Sequence, residues 1–506
     1  MNMPSKPPNI LLLFTDQQRA DTLGVLNPVM RTPSLDRLCA GGTTFTHAYT
    51  PVPVCVPARC SLIFGQYATK TGCYENNYPM PEESAERPTF MGALSQAGYQ
   101  TYGIGKMHFT PDLYARRGFE GREISEELHG PERDGYAAWL HQNGYDHILD
   151  PMGVRGEMYY IPQPAQMPAR YHNSQWVAER SIEFLHSRDR WRPFLLWSSF
   201  IHPHPPFSPP VPWNKLYRAP SMPLPKVPKD HENFWTYINR VQNRYKYRDA
   251  GVDDNLLRVM KAYYYACVSF IDYNIERILQ ALEQTGELEN TLILYTSDHG
   301  EFLGDYHCFG KRSFLKPAAN IPLIVRYPQR FAAGQRSDAP VSLVDVMPTF
   351  LAAAGIATDS LALDGADLAE VARNPEARPI VFGHYQSGGH DSYNQAQYMA
   401  LTSRWKYIYS AAEHREYLFD LKVDPEETRN RAETLGYLEQ TRLLRAQMVA
   451  QLQQAGRSAG LDGDAWRAFP APQFPRDPDA GLLFQDADWA ASRLTLAGYS
   501  DDKEIP

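Results

Sequence analysis

Long apolar runs are missing from this chain of 506 residues. The first, Ile10 to Phe14, is too short for the core of a secretory signal and follows a polar, proline-rich start from Met1 to Pro8. No stretch approaches the length that spans a bilayer. Positive charge is also scarce: 50 Lys and Arg stand against 58 Asp and Glu, a net charge of -8. A general binder of nucleic acid needs a clustered basic surface, which this composition does not supply. Cysteine is sparse, with 6 residues at irregular spacing, so reduced thiols are expected rather than a disulfide framework. Internal repeats and low-complexity tracts are lacking as well. These shortages point to a cytoplasmic protein with no membrane and no nucleic-acid partner.

What is abundant is proline, with 41 residues, and tyrosine, with 31. Together they predict fixed, aromatic-lined loops over a regular scaffold, a common way to build a substrate pocket. The 43% hydrophobic and 21% charged content is that of a globular chain. Ile10 to Phe14 runs into Thr15-Asp16-Gln17, and Leu292 to Tyr295 runs into Thr296-Ser297-Asp298-His299-Gly300. Runs of this kind read as strands buried on both faces. Functional groups gather beyond the carboxyl ends of such strands, so Asp16 and Asp298 are expected on one edge, as in a metal site.

Phe194 to Phe200 and Ile321 to Tyr327 predict further strands. Helices are expected over Pro33 to Ala40, with Thr32 as N-cap, and over about Leu257 to Glu283. This alternation predicts an α/β fold with a large, mainly parallel sheet sandwiched by helices over residues 1–376. Short strand-like pieces at Ile380 to Phe382, Gln397 to Leu401, Lys406 to Tyr409 and Tyr417 to Leu421, then a helix over about Ala432 to Gln454, predict a smaller antiparallel subdomain over 377–459. The last segment, 460–506, carries Trp466, Phe469, Phe474, Phe484 and Trp489. So many aromatics are expected to dock, either on the same chain or on a partner subunit in a homo-oligomer.

The sharpest chemical signal is Pro53-Val54-Cys55-Val56-Pro57-Ala58-Arg59. Pro57 suits the first turn of a helix, which would set Cys55 at the amino end, where free N–H groups favour negative charge. Arg59 adds a planar cation suited to tetrahedral oxyanions. By itself the segment is equally compatible with a buried structural cysteine. A second segment, Gly98 to His108, reads as a strand running into a loop. If extended, it points Lys106 and His108 to one face, an anion clamp beside a base; an edge lysine next to a core histidine is the plainer alternative.

Taken together, Cys55-Val56-Pro57-Ala58-Arg59 and Gly98 to His108 resemble the two signatures of the formylglycine-dependent sulfatases, within the alkaline phosphatase superfamily, in order and at the right distance. The resemblance extends to Asp16-Gln17 with Arg19 and Asp21, to Pro203-His204-Pro205-Pro206-Phe207, to Ser297 through Glu301, and to Gly310-Lys311. Trp405 to Ile408, Tyr417 to Leu421 and Asp424-Pro425-Glu426 are similar to the family's small C-terminal sheet.

The resemblance implies that a maturation enzyme oxidises Cys55 to formylglycine, whose hydrate attacks the sulfur of a small-molecule sulfate ester. Asp16, Gln17, Asp298 and His299, with residue 55, would hold one divalent cation. Calcium is expected first, as in most of the family, and manganese is the alternative that one imidazole among oxygen donors makes credible. Lys106, His204, Lys311 and Asn76 would hold the sulfate, and His204 or Lys311 would protonate the leaving alcohol. His108 would deprotonate the second hydroxyl, re-forming the aldehyde and expelling sulfate, with Arg59 orienting the hydrate. Val56 departs from the small residue usual at its position, as Phe64 departs from the usual threonine. The Asp-Gln and Asp-His pairs resemble those of choline sulfatases and phosphonate monoester hydrolases.

A phosphonate monoester or phosphodiester hydrolase is therefore the second expectation, opposed by Lys106 and His108, where that family carries tyrosine and threonines. A thiolate enzyme would explain Cys55 but leave the aspartate-bearing strand ends unused. A silent binding protein would have no use for so many charges in one pocket. The aromatic inserts, about 120–170 and 207–252, are expected to wall the pocket. His384 and His390 are placed in a loop that reaches its rim or lies exposed.

Overall fold

The computed structural model describes residues 7–127, 132–145, 147–155, 159–246 and 253–474. Its centre is an eight-stranded sheet. The strands, in chain order, are β1 (Asn9–Asp16), β2 (Thr43–Phe45), β3 (Gln100–Gly105), β4 (Gly121–Ile124), β5 (Phe194–Pro203), β6 (Thr291–Ser297), β7 (Leu323–Arg326) and β8 (Gln335–Ser337). Their order across the sheet is β4-β3-β5-β1-β6-β7-β2-β8. β7 runs antiparallel to both neighbours and the remaining pairs are parallel. The run Ile321 to Tyr327 is thus a strand, shorter than the sequence predicts and reversed.

The apolar run of β1 is buried throughout, and its residues alternate between two cores. Ile10, Leu12 and Phe14 face one, packed by α2 (Cys55–Phe64), α3 (Phe90–Gln96) and α6 (Val346–Ala353). Leu11 and Leu13 face the other, packed by α1 (Pro33–Gly41), α4 (Asn173–Ser187) and α5 (Asp254–Gln284). Each fully buried leucine of this kind contributes roughly 1.5–3 kcal/mol, so β1 is fixed in register by its own composition. Val56 and Phe64, the two departures in the cysteine segment, lie in the first core, which explains their bulk.

The N-cap expected of Thr32 is not made: its hydroxyl accepts from Gly24 N and donates to Asp36. The free N–H groups of Ser34 and Leu35 at the head of α1 go instead to Asp272 of α5, at 3.2 and 2.8 Å, and burial pushes that carboxyl up to about 7. A tertiary partner has replaced the local cap.

A four-stranded antiparallel sheet follows, with β9 (Val381–Gln386), β10 (Ala396–Leu401), β11 (Trp405–Ser410) and β12 (Arg415–Asp420) in sequential order. It is covered by α7, which spans Leu438–Gln454 and so starts later than the pattern from Ala432 predicts. The chain then returns to this sheet: Trp466 stacks on Tyr409 at 4.2 Å and on Tyr398 at 4.8 Å, and its indole N–H donates to the Tyr407 hydroxyl. Phe469 stacks on Tyr393 and Phe474 packs on Tyr237. This part of the aromatic segment docks on its own chain, while Phe484 and Trp489 lie outside the described residues. All six cysteines are free and buried. Among the described residues no helix is long and apolar enough to cross a membrane.

Candidate active site

Four strands deliver their last residues to one edge. Thr15 pairs with Ser297, so Asp16 and Asp298 emerge side by side from β1 and β6. Gly105 pairs with Ser199, which brings Lys106 to the same edge, and His204 follows the end of β5. Glycine is required at 105: its φ is +90°, and a Cβ there would lie 2.0 Å from Ser199 O. The strand stops at that turn, and His108 itself has a φ of 52°. Lys106 and His108 therefore do not share the face of an extended strand, as the sequence suggests, but follow one another around a loop. Glu126 pins that loop by accepting from Met107 N and His108 N, both at 2.9 Å.

Cys55 is the first residue of α2 and is 1% exposed. Its Sγ lies 3.0 Å from Lys311 Nζ, 3.3 Å from His299 Nε2 and 3.8 Å from Asp16 Oδ1. Burial and Asp16 work against charge on this thiol, but Lys311, Lys106 and His299 outweigh them and push it well below the usual range. Position 55 is built to carry negative charge at the head of a helix.

One turn along α2, the Arg59 guanidinium is fully buried over the Phe14 ring. It donates to the outer oxygens of both aspartates, Asp298 Oδ2 at 3.0 Å and Asp16 Oδ2 at 3.2 Å, and to Lys106 O at 2.6 Å. Arg59 thus braces the carboxylates from behind. Burial opposes ionisation of Asp16, yet Lys106, Lys311 and Arg59 hold it well below the carboxylate range, whereas burial and Asp16 itself raise Asp298.

Donor atoms of Asp16, Cys55, Asp298 and His299 all lie within 4.8 Å of one another. His299 Nδ1 faces Gly300 O at 3.0 Å, which leaves Nε2 to face the cluster, as in metal-ligating histidines. Gln17 turns its amide oxygen to Lys311 at 2.9 Å and its NH2 to Glu301. Two carboxylates and an imidazole around position 55, with the outer carboxylate oxygens engaged by Arg59, fit a divalent cation. Arg19 pairs with Asp21 and Asp305 and donates to Glu301 O and Phe302 O, holding the loop that follows Asp298 and His299.

His204 Nδ1 lies 2.8 Å from Pro205 O, and its Nε2 faces the Tyr159 hydroxyl at 3.4 Å. Burial drives this imidazole down to about 3, so it is uncharged at neutral pH. Asn76 accepts from Val56 N at 3.0 Å, beside Cys55. His384 lies on β9 in an aromatic stack, 4.5 Å from Tyr74 and from Tyr398, and so is not in the exposed loop that the sequence suggests. His390 packs on Tyr78.

Several residues of the site carry no signature in the sequence. Glu127 pairs with Lys106 and with Arg155, and Gln242 donates to Lys311 O. All three belong to the inserts read as pocket walls, and only their position in those inserts hints at a role.

Residues 8–356 match the family model described as sulfatase. The chain belongs to the sulfatase family. Residues 304–455 of this sulfatase also match the model for the C-terminal part of N-sulphoglucosamine sulphohydrolase. An arylsulfatase of Clostridium perfringens is 30% identical over 485 residues, covering 90% of this chain and 96% of that protein. A choline-sulfatase of Rhizobium meliloti is 30% identical, covering 85% and 83%. The solved phosphonate monoester hydrolase of Agrobacterium radiobacter superposes with a TM-score of 0.75 at 24% identity, covering 88% and 96%, and shares the alkaline phosphatase-like fold.

Proposed function

We propose that this sulfatase hydrolyses a sulfate monoester with residue 55, converted from cysteine to formylglycine, as the nucleophile. The observation that carries the reading is the setting of Cys55: the head of a helix, ringed by Asp16, Asp298, His299 and Lys311. A cation held by Asp16, Gln17, Asp298, His299 and residue 55, calcium first and manganese second, would supply Lewis-acid polarisation of sulfate oxygens and of the nucleophile. The formylglycine hydrate would supply two hydroxyls on one carbon, and Cys55 Sγ marks where they stand.

The remaining work falls to side chains already in place. Lys311 contacts position 55 directly and stabilises charge there. Lys106 and Asn76 flank the same position and orient the sulfate. The leaving oxygen takes its proton from Lys311, whose ammonium reaches position 55, or from His204, whose Nδ1 is committed to Pro205. His108 has a buried Nδ1 with no hydrogen-bond partner among the described residues, which leaves it able to take the proton from the second hydroxyl. Asn76, Lys106, His204 and Lys311 form the sulfate subsite in this reading.

Phosphonate monoester or phosphodiester hydrolysis is the second reading, favoured by Gln17 and His299 among the cation's donors. Mass spectrometry of the Cys55 peptide, from protein made in a host with the maturation enzyme, tests the first together with turnover of an aryl sulfate and a phosphonate monoester. An aldehyde at position 55 with sulfate cleavage dominant is the expected result. Fully active protein with an intact thiol sinks it.

Dialysis against a chelator is expected to abolish turnover and lower the melting temperature. Calcium or manganese at about 100 times its dissociation constant should restore roughly 2.7 kcal/mol of stability along with activity. Full activity after exhaustive chelation contradicts the metal assignment.

A further inference from the structure

Beside Lys106 and His204, read above as holders of the substrate's anionic group, stands a carboxylate. Glu127 Oε1 pairs with Lys106 and lies 3.7 Å from His204 Nε2, and its Oε2 pairs with Arg155. Lys106 also pairs with Asp16 Oδ2 at 2.6 Å, so one ammonium is shared by two carboxylates. The Lys106 side chain is 1% exposed, Arg155 5% and Glu127 17%, so little water screens the cluster. Burial works against the charge on Glu127, yet Lys106 and Arg155, the two cations paired with it, hold its carboxyl well below the usual range.

We propose that Glu127 is a specificity-determining residue that sets the charge this subsite accepts, favouring monoanionic esters over dianions. The inference rests on the reading that Lys106 and His204 hold the substrate's anionic group. A sulfate monoester carries one negative charge, as does a phosphonate monoester. Inorganic sulfate carries two, and a phosphate monoester nearly two at neutral pH. Coulomb repulsion is linear in charge, so a fixed carboxylate beside the subsite costs a dianion twice the free energy that it costs a monoanion. Written as binding constants, the penalty for the dianion is the square of that for the monoanion. The consequence for turnover follows from the reaction itself. Hydrolysis turns a monoanion into a dianion in place, so Glu127 opposes product more strongly than substrate and favours its release.

The test is steady-state kinetics of the matured holoenzyme and its Glu127→Gln variant, with an aryl sulfate as substrate and inorganic sulfate as inhibitor. Loss of the charge is expected to lower KM for the ester about threefold and the inhibition constant of sulfate about tenfold, the squared relation expected from charge. The ratio of kcat/KM for an aryl phosphate to that for the aryl sulfate should rise in step. Equal shifts for monoanion and dianion overturn the proposal, as does a fall in kcat with both constants unmoved, the signature of a residue that only positions Lys106. Glu127→Ala must move both constants in the same direction as Glu127→Gln, and opposite movement also overturns it. Should the wild type cleave phenyl phosphonate monoesters and no sulfate ester, the sulfatase reading fails separately. The charge rule is then read on the phosphonate monoester against inorganic sulfate, a full dianion at neutral pH, with the same squared relation expected.

Discussion

Replacing Cys55 with alanine is expected to lower kcat/KM for an aryl sulfate by on the order of 10⁴ or more, as when other enzymes lose their nucleophile. The fold should survive. The side chain is 1% exposed but small, and its removal at the head of α2 costs on the order of 1 kcal/mol of packing. The charge-stabilising surroundings of the position, Lys311 at 3.0 Å and His299 at 3.3 Å, remain in the variant with nothing to act on. Initial rates at saturating and subsaturating substrate, with a thermal melt by circular dichroism, check both halves of the expectation. Residual turnover above a few per cent of wild type in a folded variant would transfer the nucleophile's role from residue 55 to water.

Arg59→Met should be the most destabilising single change at the site, costing about 3–5 kcal/mol. The guanidinium is fully buried and holds Asp16 Oδ2, Asp298 Oδ2 and Lys106 O at once. Methionine fills part of the volume and supplies no donor, so two buried carboxylates lose their shared counter-charge. Lysine is not a conservative replacement, because a point charge cannot reach three acceptors with the geometry of a planar fork. Denaturant unfolding measures the loss. Added calcium should return part of it by taking over some of the lost charge compensation, a response that a simple packing defect would not show. A loss below 1 kcal/mol, or one indifferent to the cation, would contradict the role given to Arg59.

Much of this site was legible one residue at a time. Cys55 at a helix start followed from Pro57, and Asp16 and Asp298 followed from apolar runs that each end in an aspartate. The turn that separates Lys106 from His108 was hidden because it depends on how closely Gly105 approaches Ser199 of the next strand. His384 was misplaced for a similar reason: Tyr74 is some three hundred residues away, and Tyr398 comes opposite it only through the pairing of β9 with β10. The missing cap on α1 belongs to the same class, since Asp272 is more than two hundred residues from Ser34 and Leu35.

The strand cores, the helix that presents Cys55 and the chemical types gathered at the sheet edge could be read from residue order alone, because apolar runs, a first-turn proline and strand-end residues act through local backbone preference. Which groups share charge was set by the packing of segments distant in the chain. Parallel pairing of β1, β3, β5 and β6 brings Asp16, Lys106, His204 and Asp298 to one edge, and the insert after β4 then seats Glu127 between Lys106 and Arg155. Ion pairing at short range in a nearly dry pocket depends on distances of a few ångströms, and no local pattern in the chain encodes those.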